Sequence, residues 1–424
     1  MSTYSNLNKN QITVFLFFYF IGLFFAKDFG ISWDEPWQKN WGDRTLAYMA
    51  RTFNIDQIFN VPNYILNPHK DIGAYGYANI FDILCSVIEK TFSMQDIRNV
   101  YIMRHCINYT FYFSGCIFFF LFIKDFLKNN FYGYIGFAFY LLNPRLLAHG
   151  FYNGKDSIAQ ALVAASLFFL FLYYKRNTKR WAILSGLTIA LSFTTRIPLI
   201  FLPLISLILL IEVSFVNHRW KCINLNFSEH FLFFAGSLLI STYIFLPIIW
   251  ESPFLMLKDI FTAMANHPWE GYNFYLGNYV KGSDSPWHYI FVWIIITTPI
   301  TFLIFFLIGI FETFRSISKK NIESNLFQIL LLSAIVIPIC MVIILNSTLT
   351  GGWRHLYFLY PFICYFMVIG FKKINIIIKI KYFNNSKMII LLIAVITFIE
   401  PIYKIIKMHP HHHSYFNFLA GKDP

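Results

Sequence analysis

Apolar runs of membrane-crossing length recur from one end of this chain to the other, and no other feature narrows its fold as much. Runs of about 15–25 residues fall at 11–27, 105–123, 131–149, 157–174, 181–195, 197–215, 230–249, 287–311, 328–345, 356–371 and 388–405. Eleven spanning helices are expected. A soluble chain of 424 residues needs far more surface charge than the 13% Asp, Glu, Lys and Arg found here, set against 57% hydrophobic residues. The expected fold is an all-α polytopic membrane protein. It forms a single transmembrane domain over 1–424, with two longer outer loops at 28–104 and 250–286 carrying amphipathic interfacial helices.

The charges set the orientation. With the N-terminus cytoplasmic, Lys124 and Lys128, Lys175, Arg176, Lys179 and Arg180, Arg315 and Lys319, and Lys372, Lys373, Lys379 and Lys381 all gather in inner loops. That is the positive-inside pattern. It accounts for the net charge of +13 without nucleic acid, since no basic stripe or recognition motif accompanies it. Asp28, Asp34, Glu35, Asp82, Glu89, Asp156, Glu251 and Asp284 fall on the outer side. Acids barely influence insertion, so their bias reflects function or the solubility of the outer loops. The six cysteines have no CxxC spacing and imply neither disulfides nor zinc. The first run lacks a small-residue cleavage site and reads as a retained span. In the first outer loop, Ile80, Phe81, Leu84, Val87 and Ile88 recur at helical spacing, as in a helix lying on a membrane surface. Richness in Asn, Ile, Lys and Phe suits an AT-rich, bacterial genome, hence a bacterial inner membrane.

The outer ends of the spans collect polar residues. Asp34-Glu35 follows the first span, framed by Trp33, Pro36 and Trp37. HGFYNGKDS places Asn153, Lys155 and Asp156 in one short turn. Arg196 sits between the fifth and sixth spans, Arg104-His105 opens the second, SDSPWHY brings Trp287 and His288, and GGWRH brings Arg354 and His355. Each has a plainer alternative: a solvated loop acid, a local Lys155–Asp156 ion pair, a snorkelling arginine, a helix-end cap, an aromatic belt. Their clustering outweighs any single member, because ionisable groups at membrane boundaries are costly unless partnered and tend to mark functional sites. A carboxylate facing several bases suits group transfer from a lipid-linked phosphate. The acid takes a proton from an incoming hydroxyl or amine, and the bases receive the phosphate leaving group. The terminal HPHHHSYFNFLAGKDP also admits a metal-site reading, although no partner carboxylate is near it in sequence.

In order along the chain, WDEPWQ, FYNGKDS, SPWHYIFVWIIITTPI, GGWRHLYFLYPF and HPHHHSYFNFLAG resemble segments of the C-type integral membrane glycosyltransferases. The likeness is to the family 39 group of protein mannosyltransferase-like and aminoarabinose transferase-like enzymes. It implies a polyprenyl-phosphate sugar donor, an unassigned acceptor (protein, lipid or glycan) and inversion at the anomeric carbon. By this resemblance Asp34 is the general base, Glu35 positions the base or the acceptor, and Asp156 supports the site or contacts the acceptor. Lys155, Arg196, Arg354 and His355 take the lipid phosphate. Asn153, Arg104, His105, Trp287 and His288 complete the expected substrate-binding set. No cofactor is implied, with a divalent metal left open. The β-trefoil insertion and soluble domains of some relatives are missing, so the acceptor is not inherited from them. The rival from another class is a multi-pass transporter or flippase, which places its carriers near the bilayer midplane on broken, repeat-related helices.

Overall fold

The computed structural model describes residues 7–55, 80–216, 225–265, 269–319, 322–382 and 384–421. Sixteen α-helices are described. In chain order the first eight are α1 (Lys9–Phe25), α2 (Glu35–Thr52), α3 (Ile80–Thr91), α4 (Ile97–Leu127), α5 (Asn130–Leu141), α6 (Pro144–Tyr152), α7 (Asp156–Arg176) and α8 (Lys179–Thr195). They continue as α9 (Phe201–Val216), α10 (Leu225–Phe245), α11 (Pro253–Ala265), α12 (Tyr289–Thr297), α13 (Ile300–Lys319), α14 (Ile322–Ile344), α15 (Tyr360–Lys381) and α16 (Ser386–Met408). Among the described residues, seven helical segments are long and apolar enough to cross a membrane: Lys9–Asp28, Ile97–Leu127, Asp156–Arg176, Ile300–Ser318, Asn325–Ile344, Arg354–Lys381 and Ser386–Met408. Two shorter apolar helices lie at Ile197–Ile208 and His230–Phe245. These helices are those of an α-helical, integral-membrane type of protein.

Two of the expected spans are each split at a proline into two α-helices. The run at 131–149 becomes α5 and α6, because Pro144 has no N–H to donate and disfavours helix at the residue before it. Asn143 caps the second piece, its Oδ1 accepting from the Leu146 N–H at 3.2 Å. The run at 287–311 becomes α12 and α13, parted at Thr298-Pro299. The carbonyls exposed by this break are satisfied from far along the chain. Asn417 donates from Nδ2 to Ile295 O at 2.6 Å and Thr298 O at 2.7 Å, and from its backbone N–H to Ile296 O at 2.9 Å.

The centre of the bundle is α7 and α15. Residues from Asp156 to Phe168 of α7 and from Tyr360 to Phe371 of α15 are buried throughout. Aromatic rings fill the space between helices, as where Phe139 meets Phe302 at 4.9 Å and Phe398 at 5.2 Å. Helices α13 and α15 cross at Gly309 and Gly370. A Cβ on Gly309 would strike the Phe366 carbonyl, and one on Gly370 the Phe305 carbonyl. Small residues at such crossings let backbones meet.

The outer loops depart from expectation in two ways. The helix expected in the first loop is present as α3, but it does not bury a purely apolar stripe. Leu84 is exposed, while Asp82, Ser86 and Glu89 are buried with Phe81 and Cys85 against α2 and α4. The polar side turns inward because it finds partners there: Lys39 reaches Glu89 at 2.9 Å, and Arg104 reaches Asp82 at 2.6 Å. The second loop is not all helix. After α11 it forms a hairpin, β1 (Tyr272–Tyr275) and β2 (Asn278–Lys281), with Tyr275 opposite Asn278. Leu276 and Gly277 both take positive φ (48° and 82°), which a two-residue hairpin turn of this hand requires. Asn273 on β1 donates to Leu349 O at 2.8 Å and accepts from the Gly351 N–H at 3.2 Å. The hairpin therefore holds the Gly351-Gly352 loop that leads into Arg354.

Candidate active site

The end of α1, the start of α2, the first turns of α4, the α6–α7 turn, the end of α8 and the 3₁₀ turn Arg354–Leu359 bring their polar residues together at one end of the bundle. Asp34 is the N-cap of α2, and its side chain makes no capping bond. Instead its Oδ2 accepts from Arg354 Nη1 at 2.6 Å. Arg354 Nη2 donates to Thr350 Oγ1 at 3.2 Å, and the same hydroxyl meets His355 Nε2 at 3.2 Å.

The two adjacent acids have different surroundings. Asp34 keeps 40% of its side chain exposed; Glu35 keeps 4%. Glu35 Oε2 accepts from the Ser32 N–H at 2.6 Å, and Oε1 meets His105 Nε2 at 2.8 Å. His105 Nδ1 lies 3.3 Å from the Ala26 carbonyl, which can only accept, so Nδ1 carries a proton. Glu35 and His105 thus pin the turn after α1 to α4, and Asp34 is the acid left facing the open side.

Asp156 opens α7 and is held from two directions. Arg196 Nη2 pairs with its Oδ1, and Asn153 Nδ2 donates to its Oδ2 at 3.0 Å. The orientation of the Asn153 amide is fixed because its Oδ1 accepts from the backbone N–H groups of Asp156 (2.9 Å) and Lys155 (3.3 Å). Lys155 is buried, with its Nζ 5.9 Å from the Trp41 ring centre. Burial pushes its amine well below the usual lysine range; Arg196 pushes the same way, and Asp82 and Asp34 oppose. Burial likewise pushes the Asp82 carboxyl up to about 7 against the pull of Arg104.

Asp34, Glu35, Arg104, His105, Asn153, Lys155, Asp156, Arg196 and Arg354 thus occupy one neighbourhood, and His355 adjoins it through Thr350. Trp287 and His288 make other contacts. His288 Nδ1 meets Tyr275 Oη on the hairpin at 2.6 Å, and Trp287 is 67% exposed. Sequence reasoning missed Asp82, whose signal was an acid inside an apolar helical stripe. It also missed Arg145 and His149, which lie inside an apolar run of spanning length. Among the described residues, no group of three His, Cys, Asp or Glu is placed to hold a metal ion.

The arrangement offers an accessible carboxylate on an arginine, with a buried amine and further bases alongside. It can take up a proton at Asp34 and hold an anion beside it. No known family model matches the chain, and no curated protein matches it.

Proposed function

We propose that the protein is a membrane glycosyltransferase of the C type. In this reading it has eleven spans, a cytoplasmic N-terminus and an outward-facing site in a bacterial inner membrane, and it moves a sugar from a polyprenyl-phosphate donor to an acceptor. The observation that carries the reading is the Asp34–Arg354 pair, 320 residues apart in sequence, set beside buried Lys155 and the Asp156–Arg196 pair. Asp34 takes the proton of an acceptor hydroxyl as the acceptor oxygen bonds to the anomeric carbon. The bond from that carbon to the phosphate oxygen breaks, and polyprenyl phosphate leaves with the electron pair. Arg354 links the two halves of this step. A donor phosphate competes with Asp34 for the guanidinium, and drawing Arg354 toward the phosphate frees Oδ2 of Asp34 to accept from the acceptor hydroxyl. Glu35 and Asp156 are positioning residues, each clamped by its own partners.

The helix breaks at Asn143-Pro144 and Thr298-Pro299 favour a second reading, a transporter of lipid-linked or small-molecule substrate. Against it, the ionisable cluster lies at helix ends. The test reconstitutes purified protein in vesicles with radiolabelled polyprenyl-phosphate sugars and a membrane extract. Covalent transfer of label with inverted anomeric configuration supports the transferase. Label that crosses the bilayer still attached to its carrier supports the transporter.

A further inference from the structure

Arg145 is buried, and among the described residues no carboxylate pairs with it. Its guanidinium lies against the Phe416 and Trp293 rings at 4.8 and 5.4 Å, and Nη2 donates to Tyr415 O at 3.2 Å. Nε of Arg145 and Oη of Tyr357, a fully buried side chain that interacts with Arg145, meet no other polar partner among the described residues. The His149 ring lies 5.0 Å from Tyr357 and 5.3 Å from Tyr152, and the His413 ring 6.0 Å from Tyr152. The tautomer of His149 follows from its neighbours. The amide of Asn153 is oriented by two backbone donors, so its Nδ2 donates to His149 Nδ1 at 3.1 Å. The Nδ1 atom therefore accepts, and Nε2 carries the proton.

The result is a cluster of donors: Arg145 Nε, Tyr357 Oη and His149 Nε2, with His413 at the edge. The titratable groups that act most on His149 are basic residues: Arg145, Arg354, His413 and His412. The Lys155 side of the site differs, because there Arg196 and Arg104 are matched by Asp156 and Asp82. Burying an arginine that no carboxylate neutralises is costly unless an anion or other acceptor meets it.

We infer that Arg145, His149 and Tyr357, closed over by the 409–421 segment, form an oxyanion site joined to the Lys155-Asp156 turn through Asn153, with the chemistry to hold a phosphoryl group. It gives the C-terminal histidine segment a role in lining an anion site. Two sources supply that chemistry: the phosphate of a lipid carrier, or a phosphate borne by the acceptor. The inference deepens the transferase reading but does not require that transfer occur, since binding alone tests it.

The experiment measures affinity of the purified full-length protein in detergent for short-chain polyprenyl phosphate, the matching neutral polyprenol, and glycerol phosphate. Wild type is compared with Arg145→Gln and Tyr357→Phe; the second deletes one hydroxyl and guards against a misfolded first. Loss of a charge-assisted bond is expected to weaken phosphate binding about 10-fold or more in Arg145→Gln, and loss of the neutral donor about 3-fold in Tyr357→Phe. Polyprenol binding is expected to stay unchanged. Weakened polyprenyl phosphate binding assigns the site to the carrier. Weakened glycerol phosphate binding alone assigns it to the acceptor. Folded variants that bind every phosphate probe as wild type does would overturn the site. Phosphate binding through Arg145 in a protein that transfers no sugar would keep it while sinking the transferase reading.

Discussion

Oδ2 of Asp34 and Nη1 of Arg354 stand 2.6 Å apart, joining the loop after α1 to the turn before α15. This pair is the hinge of the proposed mechanism, and it makes Arg354 sensitive to shape as well as charge. Arg354→Lys keeps the positive charge but loses the planar fork that serves Asp34 and Thr350 together. Transfer is expected to fall about 10-fold or more, against a smaller loss of donor affinity. Equal activity of Arg354→Lys in a transfer assay would contradict the bidentate role.

The Asp156–Arg196 pair is buried, so breaking it from one side leaves a charge without its partner. Arg196→Leu is expected to destabilise the protein by roughly 3–5 kcal/mol, and Arg196→Leu with Asp156→Asn to recover much of that. Thermal unfolding in detergent, followed by size-exclusion fluorescence, reads both. A double variant no better than the single one would mean that Asp156 is not the stranded charge.

Asp82 supplies a pH dependence whose sign is fixed by its burial. Its carboxyl ionises near 7 when folded, well above its usual value of 3.8. The folded state therefore holds a proton that the unfolded state has released over that interval, and stability falls as pH rises through it. Relative to Asp82→Asn, which cannot titrate, wild type is expected to lose melting temperature between pH 5 and pH 8. A difference that is flat across those pH values would mean that Asp82 stays ionised beside Arg104 in the fold.

At the α13–α15 crossing the limit is steric. Gly309→Ala places a methyl group on the Phe366 carbonyl, where backbone rather than a flexible side chain must yield. Overpacking of this kind costs about 1–3 kcal/mol. Gly236, whose added Cβ meets nothing within 4 Å, serves as the control. Unfolding midpoints of Gly309→Ala and Gly236→Ala that shift equally would contradict the close crossing.

Much of the helical frame was legible because an apolar run of spanning length has few alternatives. Every expected run falls on described helix, although some helices are too short or too weakly apolar to cross a membrane unaided. What sequence hid were the breaks. Pro144 and Pro299 lie inside apolar runs, and the partner that satisfies the second break, Asn417, is more than a hundred residues away. The convergence of Asp34, Lys155, Asp156, Arg196 and Arg354 could be anticipated because alternating spans return these residues to one end. The inward face of α3 could not, since an amphipathic stripe says which side is apolar and not whether the polar side finds Arg104 and Lys39. The separate surroundings of Asp34 and Glu35, adjacent in sequence, are set by His105 and Arg354 from distant helices.

The most direct test of the central claim compares sugar transfer by wild type, Asp34→Asn and Glu35→Gln, each shown to be folded by its unfolding midpoint. The account predicts that Asp34→Asn loses about 10²-fold or more, as removal of a general base does, with donor binding largely kept. Glu35→Gln, which loosens the turn without removing the base, is predicted to lose less. Transfer by Asp34→Asn equal to wild type would show that Asp34 is not the base and would contradict the mechanism.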